Sequence, residues 1–405
     1  MEALLRDLRF GLRMIVKNPL LSSISIVTFA LGIGLTTTVY SIVNGALLDG
    51  LPFEESNRIV RVLRTDLSRN SQPIGVSVHD YFDWREQQTS FVHMAGLSGR
   101  AVNVIDSEGQ PVRYDAAEVT PEFFDILGVY PFMGRSFDEN DSEVGATSTV
   151  ILSWDAWQEE FEGNDAVVGR TIQMDGTTGT VIGVMPEDFA FPDRQRIWVP
   201  MRLDASVQRD QGRNLAVMAR LADGVSLDEA GAQMVTIASR LATEYPETNE
   251  NLSAEVDTYI NIDVGDEIAG FLYTMLAAVL GVLLIACANV ANLLLARAST
   301  RTREVAVRTA LGASRGQVIR QLLTETIVLA FVGSAIGIAI GYARVGWFNR
   351  AIAISPPPAW MTFAVDGNVM VFIVIITALA AIGSGLLPAI QATRTDVGEI
   401  LKDEG

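Results

Sequence analysis

Four stretches of this chain, residues 18–48, 268–296, 326–343 and 367–393, contain no charged side chain. An α-helix rises 1.5 Å per residue, so about 20 apolar residues cross the roughly 30 Å hydrocarbon core of a bilayer. Hydrocarbon offers a bare peptide group no hydrogen-bond partner, whereas a helix satisfies its own. The pattern predicts four transmembrane helices, at 20–48, 268–296, 321–343 and 367–393. The competing reading, four buried core helices in a large soluble protein, sits poorly with a mean hydropathy of +0.28. The first run is too long for the apolar core of a secretory signal, and no small-residue cleavage site clearly follows it. It is expected to stay as an anchor.

Arginines orient these spans. Segment 1–19 carries Arg6, Arg9, Arg13 and Lys17, and the tail 394–405 carries Arg394 and Lys402. Segment 297–320, RASTRTREVAVRTALGASRGQVIR, has Arg297, Arg301, Arg303, Arg308, Arg315 and Arg320 against one acid, Glu304. Positive charge flanking a span stays cytoplasmic. Both termini and 297–320 are therefore expected inside, 49–267 outside, and 344–366 as a short outer loop. The outer segment holds 39 acidic and 16 basic residues, a net of −23 in a chain whose total is −18. Such a surface is a poor partner for nucleic acid or anionic lipid.

Composition removes several chemistries. The one cysteine, Cys287, lies in the second apolar run, so the outer segment is expected to be held by its core without disulfides. The two histidines, His79 and His93, form no metal-ligand cluster, and neither a nucleophile elbow nor a Cys–His pair can be assembled. Asp80, Asp83 and Glu86 stand at near-helical spacing and read as a solvated face rather than as general acid and base. A phosphate-cradling P-loop needs a lysine after glycine. The only lysines, Lys17 and Lys402, follow Val16 and Leu401. No catalytic residue, metal or cofactor is expected, and any ATP hydrolysis that drives the chain is expected in another polypeptide.

The outer segment reads as mixed α/β. RIVRVLRTD (58–66) alternates like a strand, VHDYFDWREQQTSFVHMAGL (78–97) spaces its aromatics like a helix, and STVILSWDAWQEEF (148–161) runs from a buried strand into a helix. GRTIQMDGTTGTVIGVMP (169–186) reads as a hairpin turning at 175–178. NLAVMARL (214–221), a helix capped by Ser226, and LSAEVDTYI (252–260) form a strand, helix, strand unit. That unit is expected to pack with the strand near residue 60, with residues from about 75 to 200 inserted as a lobe farther from the membrane.

Taken together, the order of one span, a large outer domain and three spans resembles the MacB-type permeases of the ATP-binding-cassette superfamily, whose C-terminal module is shared with FtsX. RDLRFGLRMIVKNP, LGIGLTTTVYSIVNGALLDGLPF, EVTPEFFDILGVYPFMGRSF, GVMPEDFAFP and REVAVRTALGASRGQVIRQLLTE carry the likeness. They are closest to the duplicated orphan permeases described from acidobacteria. Those typically carry two such halves, where one is present here.

The resemblance implies an α-helical membrane protein with a large mixed α/β extracytoplasmic domain after its first helix, multi-pass in a bacterial inner membrane. It implies a separate cytoplasmic ATPase as partner. Segment 297–320 is then the coupling helix, and Arg303, Glu304, Arg308, Gly312, Ala313 and Ser314 match the docking motif. Topology setting and binding of anionic lipid heads are the plainer roles for these arginines. Segment 1–19, with LLRDLRFGLRMIV, reads as a cytoplasmic amphipathic helix or as a mere positive flank. Gly333, Gly337 and Gly341 make consecutive G-x-x-x-G steps, with Gly32 and Gly34 in the first run. They permit close backbone approach either within one subunit or in a homodimer or pseudo-dimer with a second permease half. Asn289 and Asn292 are expected to bond neighbouring helices. Three functions follow: an export or release permease, an FtsX-like scaffold controlling an external partner without transport, and, least supported, a membrane-anchored outer enzyme.

Overall fold

The computed structural model describes residues 19–300 and 315–394, apart from 70, 106–109 and 210. Four helices in it are long and apolar enough to cross a membrane. The first, α1, runs over Pro19–Val43 and continues as a π-helical turn, Asn44–Leu48. The other three are α7, Tyr259–Thr300, α8, Arg315–Ile352, and α9, Gly367–Arg394. A mixed α/β domain follows the first of them. The fold class expected from the sequence is thus the observed one.

Two compact units divide the described chain. In the membrane-type unit, Phe29 and Ile33 of α1, Leu283 and Val290 of α7, Leu329 of α8 and Val369 of α9 share one apolar core. Three successive hydroxyls of α1 are satisfied inside their own helix: Thr36, Thr37 and Thr38 donate to the carbonyls of Gly32, Ile33 and Gly34 at 2.8–2.9 Å. That is how a polar side chain is tolerated where no water reaches. Between α8 and α9, the Ser334 and Thr377 hydroxyls bond each other at 2.9 Å.

The second unit, the outer domain of the expected topology, spans Gly50–Asp266 and takes back Pro357–Met361. Its strands are β1 (Ile59–Asp66), β2 (Gln72–Ile74), β3 (Val76–Ser77), β4 (Phe91–Ile105), β5 (Pro111–Val119) and β6 (Met133–Gly134). β7 (Thr149–Leu152), β8 (Thr171–Met174), β9 (Thr177–Val184), β10 (Ile197–Pro200), β11 (Asn214–Leu221) and β12 (Leu252–Thr258) follow. The sheet order is β12-β1-β11-β4-β5-β10-β7-β9-β6. Pairs β5/β10 and β7/β9 are parallel, and the remaining pairs are antiparallel. The helices are α2 (Val78–Gln87), α3 (Phe123–Leu127), α4 (Trp154–Phe161), α5 (Leu227–Glu244) and α6 (Pro246–Asn249).

This one sheet carries two cores. Tyr81 and Trp84 of α2 and Met234 and Leu241 of α5 pack on β1, β11 and β12. Trp157 of α4 packs with strands β5, β7, β9 and β10 in the second. The strand, helix, strand unit does pair with the strand near residue 60, because β1 lies between β11 and β12. Serine caps set the helix starts: Ser153 accepts from the Ala156 amide at 3.1 Å and opens α4. Ser153→Ala removes the partner of an otherwise orphaned amide. It is expected to cost about 1 kcal/mol, read as a fall of a few degrees in the unfolding temperature of the full chain.

Three readings change. The helix expected through 97 stops at Gln87, and Phe91 begins β4. Tyr81, Trp84 and Phe91 share one core, so their spacing reported a common face rather than a common helix. The hairpin turn is tighter than 175–178: β8 ends at Met174 and β9 begins at Thr177.

Asp80 overturns the third reading, the solvated acidic face. It is 1% exposed. Its carboxylate accepts from Arg64 at 2.6 Å, from Arg209 at 2.9 Å, from the Asn249 amide at 2.8 Å and from the Ser77 hydroxyl at 2.8 Å. Asp83 binds Arg209 as well, and that guanidinium stacks 3.8 Å over the Tyr245 ring. Burial works against the Arg209 charge, but the Asp83 hydrogen bond and the fields of Asp83 and Asp80 outweigh it and hold its pKa above the ordinary value. Spacing along α2 could not show this, because both arginines come from distant segments.

Candidate functional site

Covalent connections lead from the sheet unit to the spans. Strand β12 ends at Thr258 and α7 begins at Tyr259, with no loop between. The chain leaves α1 and its π turn at Leu48 and enters β1 at Ile59. β1 and β12 are hydrogen-bonded neighbours, from Val60 opposite Thr258 to Asp66 opposite Leu252. The strand that follows α1 after ten residues and the strand that precedes α7 are thus adjacent in one ladder. Within α7 the single non-helical residue is Gly265, at φ 75°, a conformation a side chain resists.

A strap of chain, Pro357–Met361, belongs to the sheet unit although it lies between two spans in sequence. The Arg194 Nε donates to the Pro357 carbonyl at 2.9 Å, and the Ala359 amide donates to the Asp193 carbonyl at 3.0 Å. Trp360 is 5% exposed and meets Tyr259 edge to face at 6.3 Å. Tyr259 in turn packs on Phe191 at 5.0 Å and lies under the Arg61 guanidinium. The sequence reading gave 344–366 only as a loop. A tryptophan after three prolines in a short connection between two spans was the signal available, since a stiff segment bearing a large ring is built to be buried.

Inside the membrane-type unit, Gly333, Gly337 and Gly341 of α8 all face α1. A Cβ on Gly333 would fall 2.6 Å from the Phe29 Cβ, one on Gly337 3.0 Å from the Ala30 carbonyl, and one on Gly341 2.7 Å from Thr37 Cγ2. Gly34 is their counterpart, 3.0 Å from the Gly337 carbonyl on the same test. The stripe is therefore occupied by a helix of the same chain. Asn289 and Asn292 of α7 differ from their expectation. Both are exposed, and neither side chain bonds a described residue.

Arg303, Glu304, Arg308, Gly312, Ala313 and Ser314 lie outside the described residues, as do the N-terminal helix expected before residue 19 and most of the tail. What is described is their flanks: α7 reaches Thr300 and α8 starts at Arg315. In the outer unit, the His79 Nε2 sits 2.7 Å from the Val207 carbonyl, an ordinary structural bond.

A span, a sheet domain and three further spans match known proteins in that order. Residues 22–237 match the MacB-like periplasmic core domain, and residues 276–397 match the FtsX-like permease C-terminal module. The chain belongs to the MacB/FtsX-type ABC transporter permeases. This permease is 23% identical over 419 residues to the uncharacterized ABC transporter permease YknZ of Bacillus subtilis, covering 99% of this chain and 100% of that one. It is 26% identical over 346 residues to the macrolide export ATP-binding/permease protein MacB of Chromobacterium violaceum, covering 80% of this chain and 51% of the relative. The permease spans about half the length of that MacB. The crystal structure of the periplasmic region of MacB from Actinobacillus actinomycetemcomitans aligns at 14% identity with TM-score 0.37, over 51% of this chain and 91% of that one.

Proposed function

We propose that this permease carries ATP-driven movement from a separate cytoplasmic ATPase to its extracytoplasmic domain, for export or release of a substrate. It sits in a bacterial inner membrane with both termini cytoplasmic, and works as a homodimer or with a second permease half. The observation that carries this reading is the order of the matches, a MacB-like periplasmic core domain over 22–237 and an FtsX-like permease C-terminal module over 276–397. Beyond the break at Gly265, α7 runs as an unbroken helix to Thr300, long enough to cross a bilayer, and so leads along the chain from the sheet domain to the arginine-rich segment. The name of the MacB relative places ATP binding and permease in one protein, which supports an ATPase as the source of the movement.

Charge reversal in the segment tests the reading. Glu304→Lys and Arg308→Glu are each expected to weaken capture of the ATPase at least tenfold, because a reversed charge at a contact costs more than about 1.4 kcal/mol. Insertion and the outer fold should be intact. Arg394→Glu, an exposed tail change worth at most about 1 kcal/mol, should do less. Pull-down from the native host measures all three; equal retention of the ATPase would refute the docking role. The FtsX-like match over 276–397 favours a second reading, in which the same movement acts on an external partner and nothing is transported. A partner recovered on the outer domain without an accompanying adaptor would favour it.

A further inference from the structure

We infer that a cavity of about 160 Å³ in the sheet unit, lined from β4, β5, β8 and β10, binds a small organic molecule bearing a single carboxylate, with Arg202 as its counter-charge. Three arginines stand in the wall, Arg100, Arg202 and Arg213, with two acids, Glu118 and Asp175. In a segment that holds 39 acidic and 16 basic residues, this local balance is reversed in sign. Four of the five charges compensate one another. Arg100 pairs with Glu118 at 3.0 Å and with Asp175, and Glu118 also takes Arg213. The Asn103 amide donates to the Asp175 carboxylate at 2.9 Å and holds that end of the row.

Arg202, which follows β10, stands outside the row. Among the described residues it makes no ion pair, and its one hydrogen bond runs from a terminal nitrogen to the Thr147 carbonyl at 3.0 Å. Its Nε is buried without an acceptor. A cation partly withdrawn from water with neither counter-charge nor full hydrogen bonding is costly to keep, and an oxyanion removes both deficits at once. The guanidinium fork fits a carboxylate or a phosphate. Glu118 and Asp175 decide between them: one uncompensated positive charge matches one carboxylate, whereas a phosphate ester carries nearly two charges and would set the second against these acids. Ser148 also lines the cavity, and its hydroxyl bonds no described residue, which leaves a further donor for the anion. Val102, Met174 and Val199 supply the apolar wall. The body of the ligand is therefore apolar and short, since pockets for drug-sized molecules measure roughly 300–1,000 Å³.

Every residue named lies in the sheet unit, so the inference is independent of the ATPase and of the coupling reading. Butyrate is the probe and butyramide its uncharged counterpart, each titrated by calorimetry into the full chain in nanodiscs at fixed ionic strength. Butyrate should bind, and butyramide and inorganic phosphate should each bind at least about tenfold more weakly. Arg202→Gln should weaken butyrate at least about tenfold, the scale of a hydrogen bond to a charged group, while Arg202→Lys, which keeps the charge, should lose less. Arg113→Gln, exposed on β5 and outside the cavity, should change nothing. The comparison of the three probes uses the parent chain alone, so it decides the matter even where a variant does not fold. No butyrate binding up to about 10 mM, equal binding of butyrate and butyramide, tighter binding of phosphate, or unchanged affinity in a folded Arg202→Gln chain would each overturn the assignment.

Discussion

Asp80→Ala is expected to lower the stability of the outer domain by about 3–5 kcal/mol, the cost of removing one member of a buried charge cluster. The carboxylate is what allows Arg64 and Arg209, 14% and 15% exposed, to lie near one another. Without it two guanidinium groups face each other with little water to screen them. The Asn249 amide and the Ser77 hydroxyl lose their acceptor as well. For a domain of this size the change corresponds to roughly 6–20 °C in unfolding temperature, measured by tryptophan fluorescence of the full chain in detergent. Asp83→Ala leaves Asp80 in place to hold Arg209 and should cost about 1 kcal/mol. If the two variants melt together, the buried cluster is not the hub of this core.

Gly333→Leu is expected to force α1 and α8 apart at a cost of about 3 kcal/mol, the upper end of overpacking. Besides the Phe29 Cβ, the new Cβ would meet the Ile26 carbonyl at 3.0 Å and the Ala30 amide at 3.4 Å. Backbone atoms of a helix cannot swing aside as a side-chain tip can. Gly346→Leu on the same helix is the control, because nothing lies within 4 Å of its Cβ position; it should stay within about 0.5 kcal/mol of the parent. Heat-induced loss of the folded fraction in nanodiscs compares the two. Equal loss would mean that the close approach has no role in stability.

The spans and some strands of the sheet, near residues 60, 150, 175, 215 and 255, were legible because each is written in a local pattern: charge-free runs of bilayer length, alternation in RIVRVLRTD, a cap at Ser226; strands β5 and β10 carried no such signal. What sequence reading missed depends on partners far along the chain. Asp80 looked like a surface acid because Arg64, Arg209 and Asn249 come from three separate segments. Trp360 looked like loop because its neighbours Tyr259 and Phe191 precede it in the chain by two spans or more. The glycine stripe was visible in its spacing, but spacing alone does not say whether the facing helix belongs to the same subunit. Phe91 was misread for the opposite reason, a helical spacing produced by a shared core.

Strands β1 and β12, the first and last of the sheet, also impose a selection rule on movement. If the ends of both strands are displaced together, the pair shifts as one body and every backbone bond survives. If they are displaced by different amounts, the register from Val60–Thr258 to Asp66–Leu252 has to slip, and a whole row of hydrogen bonds, each worth about 1 kcal/mol, breaks at once. The ladder therefore transmits what the two inputs have in common and rejects their difference. A movement that reached only one of the two strands would be opposed by the whole row, whereas one that reached both together would meet no such resistance.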